Sequence, residues 1–286
     1  MAVIFDSHAH LISDDPGRYP PAPLSGQLRE GDLDNPMTAE RLLREMDANG
    51  VERAVAVHRS HVYGFDNAYV CDAAERYPDR LRAVCSIDAA QPDSGERVRY
   101  WVRERGAAGV RMMEPFKGAD TSWFASDACR PVWETATELG VSVCVHFFRW
   151  NRGVGLPALK TLLADFPDTT VVVDHFSNMA SESGPPDHGV DDLLLDIAKF
   201  PRAYTKFTTI PLGQLAQHGI DAAPVVACVV KAFGAERVMW GSDVAQSAGT
   251  YAEMVELGRQ AVRTLSDVDR AHLLYGATSA VYGRAG

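Results

Sequence analysis

An α/β fold built as a single (β/α)8 TIM barrel is predicted by three features: eight short β-branched runs, helical periodicity between consecutive runs, and strands apolar at nearly every position. The unit recurs at roughly 30 residues, the length of one strand, loop and helix. Val141-Ser142-Val143-Cys144-Val145 and Val171-Val172-Val173 lack the alternation of a half-exposed strand. Both faces of such strands are buried, as in a parallel sheet covered by helices. An open doubly wound sheet would carry a Gly-rich nucleotide loop after its first strand, and none is present. No linker or break in composition divides the 286 residues, so 1–286 reads as one domain.

In chain order the strands are expected at 3–8, 54–58, 82–87, 109–113, 141–147, 170–175, 203–208 and 237–240. Helices are expected at 39–48, 66–77, 96–104, 130–139, 156–165, 190–200, 222–233 and 251–265. Thr38, Asp66 and Asp127 stand where a side chain can cap the free N–H groups of a first turn. Gly50, Gly106, Gly140 and Gly234 stand where the chain leaves a helix through the left-handed region. Pro78, Pro167 and Pro201 close other helices, since proline has no N–H to continue one. The segment 13–37 is rich in proline and glycine, follows strand one, and is long enough to wall or cover a pocket.

Charge and cysteine usage narrow the function. Acidic residues outnumber basic ones 38 to 28, and no Lys/Arg-rich run occurs, so nucleic acid and anionic membranes are poor partners. No apolar run approaches the roughly 18–20 residues of a membrane span, and the N-terminus lacks the features of an export signal. Cys71, Cys85, Cys129, Cys144 and Cys228 are odd in number and without metal or redox spacing, so they read as free thiols in a reducing compartment. A cytoplasmic protein acting on a small molecule is expected. Barrels of this kind often associate through their outer helices, so a homo-oligomer is compatible with the fold.

Active sites in this architecture collect at the carboxyl ends of the strands, and the polar residues there follow a pattern. Strand one ends Asp6-Ser7-His8-Ala9-His10, strand two at His58, strand five at His146 and strand six at His175, while strand eight runs on to Asp243. Residues two apart on a strand share a face, so His8 and His10 can hold one ion together. Taken alone, a His-x-His pair serves equally well as two polar residues at a strand end. His146, His175 and Asp243 alter that balance, because each puts a costly polar group at the end of an apolar run. Convergence on one metal site explains all of them.

The segments Phe5-Asp6-Ser7-His8-Ala9-His10, Val143-Cys144-Val145-His146, Val173-Asp174-His175 and Trp240-Gly241-Ser242-Asp243 resemble the amidohydrolase superfamily. More narrowly they resemble its amidohydrolase-2 branch, which includes pyrone-dicarboxylate lactonase, sugar-acid lactonases and aminocarboxymuconate-semialdehyde decarboxylase. Tyr63-Gly64-Phe65-Asp66-Asn67, Gly109-Val110-Arg111 and Tyr275-Gly276-Ala277-Thr278 extend the resemblance over nearly the whole chain. It implies metal ligation by His8, His10 and His146. Asp243 would ligate weakly and handle the proton of the attacking water, and His175 would position substrate or water as a second catalytic residue. Strand four has no lysine to be carboxylated as a bridge, which implies one divalent ion, with Glu114 the only nearby carboxylate that could hold a second. Some lactonases of the branch lack the strand-five histidine and work without metal, whereas His146 is present here. Three imidazoles and a carboxylate leave a position open for water and suit Zn²⁺ foremost, with Mn²⁺ as the alternative.

The implied activity is metal-dependent hydrolysis, with a small carboxylated or sugar-derived lactone opened by metal-activated water. Non-oxidative metal-dependent decarboxylation of a small carboxylated substrate is the alternative. A barrel that only binds its ligand would be expected to have lost a ligand residue or the aspartate, and all are present. For an anionic substrate the candidate handles are Arg111 at the end of strand four and Arg59, Lys117, Arg149 and Arg152 just after strands two, four and five. A guanidinium facing the cleft could grip a carboxylate with two prongs. Arg111, Arg59 and Arg149, with His58 and Tyr63, are the expected substrate contacts. Tyr63, Trp123, Phe147, Phe148 and Trp150 could wall a planar ligand, or simply pack.

Overall fold

The structure is a computed structural model, and it describes residues 3–114 and 120–283. Eight strands run in sequence order around the barrel: β1 Ile4–Ala9, β2 Val51–Val57, β3 Leu81–Ser86, β4 Gly109–Met113, β5 Ser142–His146, β6 Val171–Val173, β7 Ala203–Thr208 and β8 Val238–Gly241. Each pairs in parallel with the next. A bridge between Ala9 and Val244 brings the end of the chain's last strand back beside the first. This is the predicted (β/α)8 barrel.

Twelve helices cover it: α1 Ala39–Asn49, α2 Ser60–Tyr63, α3 Ala68–Arg76, α4 Ser94–Arg99, α5 Arg130–Leu139, α6 Arg152–Asp165, α7 Asp192–Ala198, α8 Thr209–Gln217, α9 Ala222–Phe233, α10 Tyr251–Ala261, α11 Asp267–Ala271 and α12 Ala277–Tyr282 among the described residues. Thr38 caps α1 as expected, accepting from Arg41 N–H, and Gly50 leaves it in the left-handed region. Ser126, not Asp127, accepts the backbone N–H of Ala128. The sequence reading missed α8, whose Pro211 and Gly213 look like breakers. Proline is tolerated there because it lies in the first turn, where its missing N–H has no partner to lose.

Two apolar layers form. Outside the sheet, strand residues such as Ala54, Val110 and Trp240 pack against the helices. Inside, Phe5, Val55, Val172 and Met239 meet Ala277 and Tyr282 of the C-terminal segment, which plug the amino end of the barrel. Toward the carboxyl end the inward positions turn polar: Arg111, Cys144, Asp174 and Lys206 are all buried. The segment 13–37 is pinned over the mouth by Ile12 N–H to Met37 O (2.9 Å), Ala22 N–H to Val62 O (2.8 Å) and Ser13 N–H to the Tyr63 hydroxyl (2.8 Å). All five cysteines are free, and no described helix is long and apolar enough to cross a membrane.

Candidate active site

β1 carries its histidines inward through an irregularity. Alternation would put Phe5 and His8 on opposite faces, yet Phe5 packs inside the barrel and His8 also turns in. The register shifts between Asp6 and Ala9 where it pairs with β2, and this restores His8 to the interior. Asp6 anchors the distortion: Oδ1 accepts the backbone N–H of His8 and of Ser242 at 2.9 Å each, and Oδ2 accepts the Tyr251 hydroxyl at 3.0 Å. Gly241 leaves room for it, since a Cβ at that position would lie 2.6 Å from His8 Cβ.

Three ligand atoms then meet. His8 Nε2 and His10 Nε2 are 3.3 Å apart, and each is 3.5 Å from Asp243 Oδ1. His10 Nδ1 lies 2.8 Å from Val57 O, and since a carbonyl only accepts, that nitrogen carries the proton and Nε2 the lone pair. His8 Nδ1 lies 3.4 Å from both Asp174 Oδ1 and Lys206 Nζ, an acceptor and a donor. Asp243 Oδ2 accepts from Ser247 at 2.8 Å, whereas its buried Oδ1 has no hydrogen-bond partner. Burial alone would raise the Asp243 carboxyl, but the neighbouring imidazoles of His10, His175 and His8 hold it below the usual carboxylate range. Burial likewise keeps His8 and His10 neutral, as metal ligands must be.

The spacing fits a cation. Donors about 2.1 Å from a tetrahedral ion lie about 3.4 Å from one another, against about 3.0 Å around an octahedral one. The observed edges of 3.3, 3.5 and 3.5 Å match the tetrahedral face. His8, Asp174 and His175 also lie at ligand spacing. There, however, Asp174 is already engaged. Its Oδ2 accepts Arg111 Nε at 2.8 Å, and its Oδ1 has Cys144 Sγ at 3.0 Å and Lys206 Nζ at 3.4 Å.

His175 reaches the site by a backbone turn. Val172 and Asp174 face inward, so alternation sends His175 outward. β6 instead stops at Val173, and His175, Phe176, Ser177 and Asn178 take φ of 51°, 52°, 54° and 48°. Four consecutive left-handed residues without glycine cost about 1–2 kcal/mol each. Burial of Phe176 against Phe207 and a 2.6 Å hydrogen bond from Asn178 Nδ2 to Phe147 O secure the turn. The His175 ring ends 4.9 Å from that of His8 and 5.0 Å from that of His146, with Nδ1 2.6 Å from Thr208 Oγ1.

The remaining expected residues divide between cleft and surroundings. Arg111, His58, Arg59 and His146 line the cleft with His10 and Asp243. His146 lies outside the two groups at ligand spacing; its Nδ1 is 3.1 Å from Arg111 Nη2, and its buried Nε2 has no hydrogen-bond partner. His58 donates from Nε2 to Gly64 O at 2.9 Å, and burial lowers its imidazole to about 3. Arg59 donates to Gln246 and lies 3.6 Å from Asp32 of the covering segment. Tyr63 sits behind the cleft, its hydroxyl occupied by Ser13. Arg149 turns out to the surface, paired with Glu182, and Arg152 pairs with Asp191. Glu114 is buried beyond the ligand groups, and burial raises its carboxyl to about 7. Lys117 lies outside the described residues. Of the aromatic residues, Phe148 lines the cleft and Trp150 stacks on it at 5.7 Å.

Lys206 was not foreseen. Its signal was parity: on β7, Tyr204, Lys206 and Thr208 share the inward face, and a lysine there demands a carboxylate opposite. Burial opposes its charge, yet Cys144, Tyr282 and Asp174 together hold it above the usual lysine value.

Fold and site define an eight-stranded barrel enzyme with a His-His-Asp cluster at the carboxyl mouth. The chain belongs to the amidohydrolase family, whose signature matches residues 5–284, and it is a hydrolase of that superfamily. L-fucono-1,5-lactonase of Burkholderia ambifaria is 26% identical over 260 residues, covering 88% of this chain and 84% of that protein. Among solved structures, a candidate 2-pyrone-4,6-dicarboxylic acid hydrolase from Pseudomonas putida superimposes with a TM-score of 0.75 at 24% identity, covering 99% and 98% of the two chains. An amidohydrolase from Burkholderia multivorans with bound zinc gives 0.72 at 21% identity over 99% of each chain.

Proposed function

We propose that this protein opens a small anionic or sugar-derived lactone by hydrolysis, with one divalent ion, zinc foremost, held by His8 Nε2, His10 Nε2 and Asp243 Oδ1. The observation that carries the reading is the triangle of His8 Nε2, His10 Nε2 and Asp243 Oδ1 with edges of 3.3–3.5 Å, in which His10 Nε2 and Asp243 Oδ1 turn lone pairs toward one another. Its edges favour a tetrahedral ion over the octahedral geometry that manganese prefers. The ion's contribution when bound is to polarise a carbonyl and to bring water near ionisation at neutral pH.

The chain's own residues supply the rest. Asp243 takes a proton from the attacking water and returns it to the ring oxygen that leaves. Ser247 fixes Oδ2 so that Oδ1 faces the reacting atoms. We assign His175, backed by Thr208, to hold the water or the substrate in line. Arg111, Lys206 and Arg59 balance Asp174, Asp243 and Asp32, so the charge of a bound ion leaves the cleft cationic and favours an anion. The lactone reading outranks decarboxylation because the curated relative at 26% identity is a lactonase. Buried free thiols support a reducing compartment such as the cytoplasm.

Elemental analysis of protein purified without chelator, paired with a pH-indicator assay over carboxylated and sugar-derived lactones, tests this. About one equivalent of zinc, lost in His8→Ala/His10→Ala together with lactone hydrolysis, is expected. Full hydrolysis by metal-stripped enzyme would overturn the metal role, and carbon dioxide release without lactone opening would favour decarboxylation.

A further inference from the structure

We infer that Asp32 of the covering segment sets the substrate preference of this cleft: its carboxylate sits at Arg59 in place of a carboxylate of the substrate, and an anionic lactone binds by displacing it. The inference deepens the lactone reading and rests on it for the identity of the incoming anion.

Arg59 is a buried guanidinium whose donors are incompletely used. It stands just after β2, is 3% exposed, and lines the cleft with His10, Arg111 and Gln246. Nη1 donates to Gln246 Oε1, whereas Nε is buried without a hydrogen-bond partner. Nη2 has Asp32 Oδ1 at 3.6 Å, close enough for an ion pair but longer than a hydrogen bond. Nε–H and Nη2–H form the edge of a guanidinium that fits the two oxygens of one carboxylate. Here that edge meets a single oxygen at long range, and a buried donor left unpaired is costly. A carboxylate gripped by both prongs satisfies what Asp32 leaves open.

Asp32 belongs to a segment with little else to hold it there. Its Oδ2 accepts the backbone N–H of Arg29 at 3.0 Å, closing a local turn. Its side chain is 10% exposed, while Glu30, Gly31, Leu33 and Asp34 around it face solvent. Between residues 24 and 34 the Asp32–Arg59 pair is the only polar contact to the barrel among the described residues. The hydrogen bonds that pin the segment lie to either side of that stretch, at Ile12, Ser13, Ala22 and Met37.

The cleft beneath has a volume of about 60 Å³. That is room for a few waters, against about 300–1,000 Å³ for a typical small-molecule site. Admission of a lactone ring requires the cleft to widen, and the covering segment is the part of its surround least tied to the barrel. The polar contact that the segment gives up on lifting is the one that a carboxylate on the ring replaces. Oxygens of two carboxylates brought to one nitrogen repel each other, so Asp32 leaves as the substrate arrives. A neutral lactone has no charge to offer Arg59 in exchange and breaks the pair at a loss.

Calorimetric titration of zinc-loaded protein with acetate and glutarate measures the competition. Asp32→Asn keeps an oxygen for the Arg29 N–H but removes the charge, and it should bind these carboxylates about 3–30-fold tighter than the parent. The gain should vanish when the same change is made in Arg59→Met. On lactones, the KM of γ-butyrolactone relative to that of γ-carboxy-γ-butyrolactone should rise by the same factor in Asp32→Asn. Trypsin reads the segment itself: glutarate should speed cleavage after Arg29 in the parent, and in Asp32→Asn that cleavage should be fast without it. Carboxylates that fail to bind, that bind Asp32→Asn no tighter, or that slow the cut after Arg29 overturn the inference, the last because the segment then closes on the anion and does not yield to it. If the parent opens no lactone, the lactone reading fails by itself, and the calorimetry and proteolysis still decide the role of Asp32.

Discussion

Lys206→Met and Asp174→Asn should differ sharply in stability although the two side chains are neighbours. Asp174 serves two buried cations, Arg111 Nε at 2.8 Å and Lys206 Nζ at 3.4 Å. At an effective dielectric constant near 20 these attractions amount to about 6 and about 5 kcal/mol. Each buried charge also forfeits several kcal/mol of hydration, so the cluster gains little as a whole. Removing the carboxylate strands both cations, and an uncompensated buried charge costs about 3–5 kcal/mol. Removing Lys206 leaves Arg111 and Asp174 as a matched pair, and methionine fills nearly the same volume against Tyr282. That change should fall within about 1.5 kcal/mol of zero.

Thermal unfolding followed by circular dichroism reads the contrast. At roughly 2–4 °C per kcal/mol, Asp174→Asn should lower Tm by roughly 6–20 °C and Lys206→Met should move it by less than about 6 °C. A loss in Lys206→Met as large as in Asp174→Asn would refute the reasoning that one carboxylate is shared by two cations. Zinc affinity gives a second reading. Asp174→Asn removes the charged acceptor facing His8 Nδ1 and should weaken binding about 10–100-fold, while Lys206→Met keeps that contact.

Two further outcomes are expected. His58 has its imidazole depressed to about 3 by burial, against 6.5 unexposed to the fold, so the unfolded chain binds a proton that the native one refuses. Its contribution is complete above pH 6.5 and shrinks as pH falls, by about 2 kcal/mol at pH 5. His58→Gln keeps a donor for Gly64 O but does not titrate, so urea midpoints between pH 5 and 7.5 should lose about one proton's worth of slope; an unchanged slope sinks the assignment. Arg59→Met should raise KM about 10–100-fold for lactones bearing a carboxylate and leave neutral lactones nearly unaffected, since a charge-assisted hydrogen bond is worth about 1.5–3 kcal/mol. Equal losses on both substrate types would mean that Arg59 holds the covering segment through Asp32 rather than the substrate.

Most of the barrel was legible because its signals are local. Doubly buried strands announce themselves as unbroken apolar runs, and Thr38 and Gly50 mark the ends of α1 from within a few residues of it. His8, His10, His146, His175 and Asp243 could be placed at one mouth because strand order and parity fix where a strand ends and which way it faces. Local pattern failed where a backbone departs from its period. The register shift after Asp6 and the left-handed turn at 175–178 both redirect a histidine that alternation would have sent elsewhere. It failed again at Arg149, where a nearby Glu182 offered a better partner than the cleft.

Chemical role lies a further step beyond position. His10, His58 and His146 are the same residue on the same rim, each buried and each neutral. A carbonyl behind Nδ1 of His10 makes Nε2 an acceptor for a cation. A carbonyl on Nε2 of His58 consumes its proton and leaves it structural. A guanidinium stands behind Nδ1 of His146. Two of the three partners, Val57 and Arg111, lie on neighbouring strands 47 and 35 residues away. A motif that counts histidines registers all three alike, and only the neighbouring strand, by presenting an acceptor or a donor, gives each ring its own surroundings.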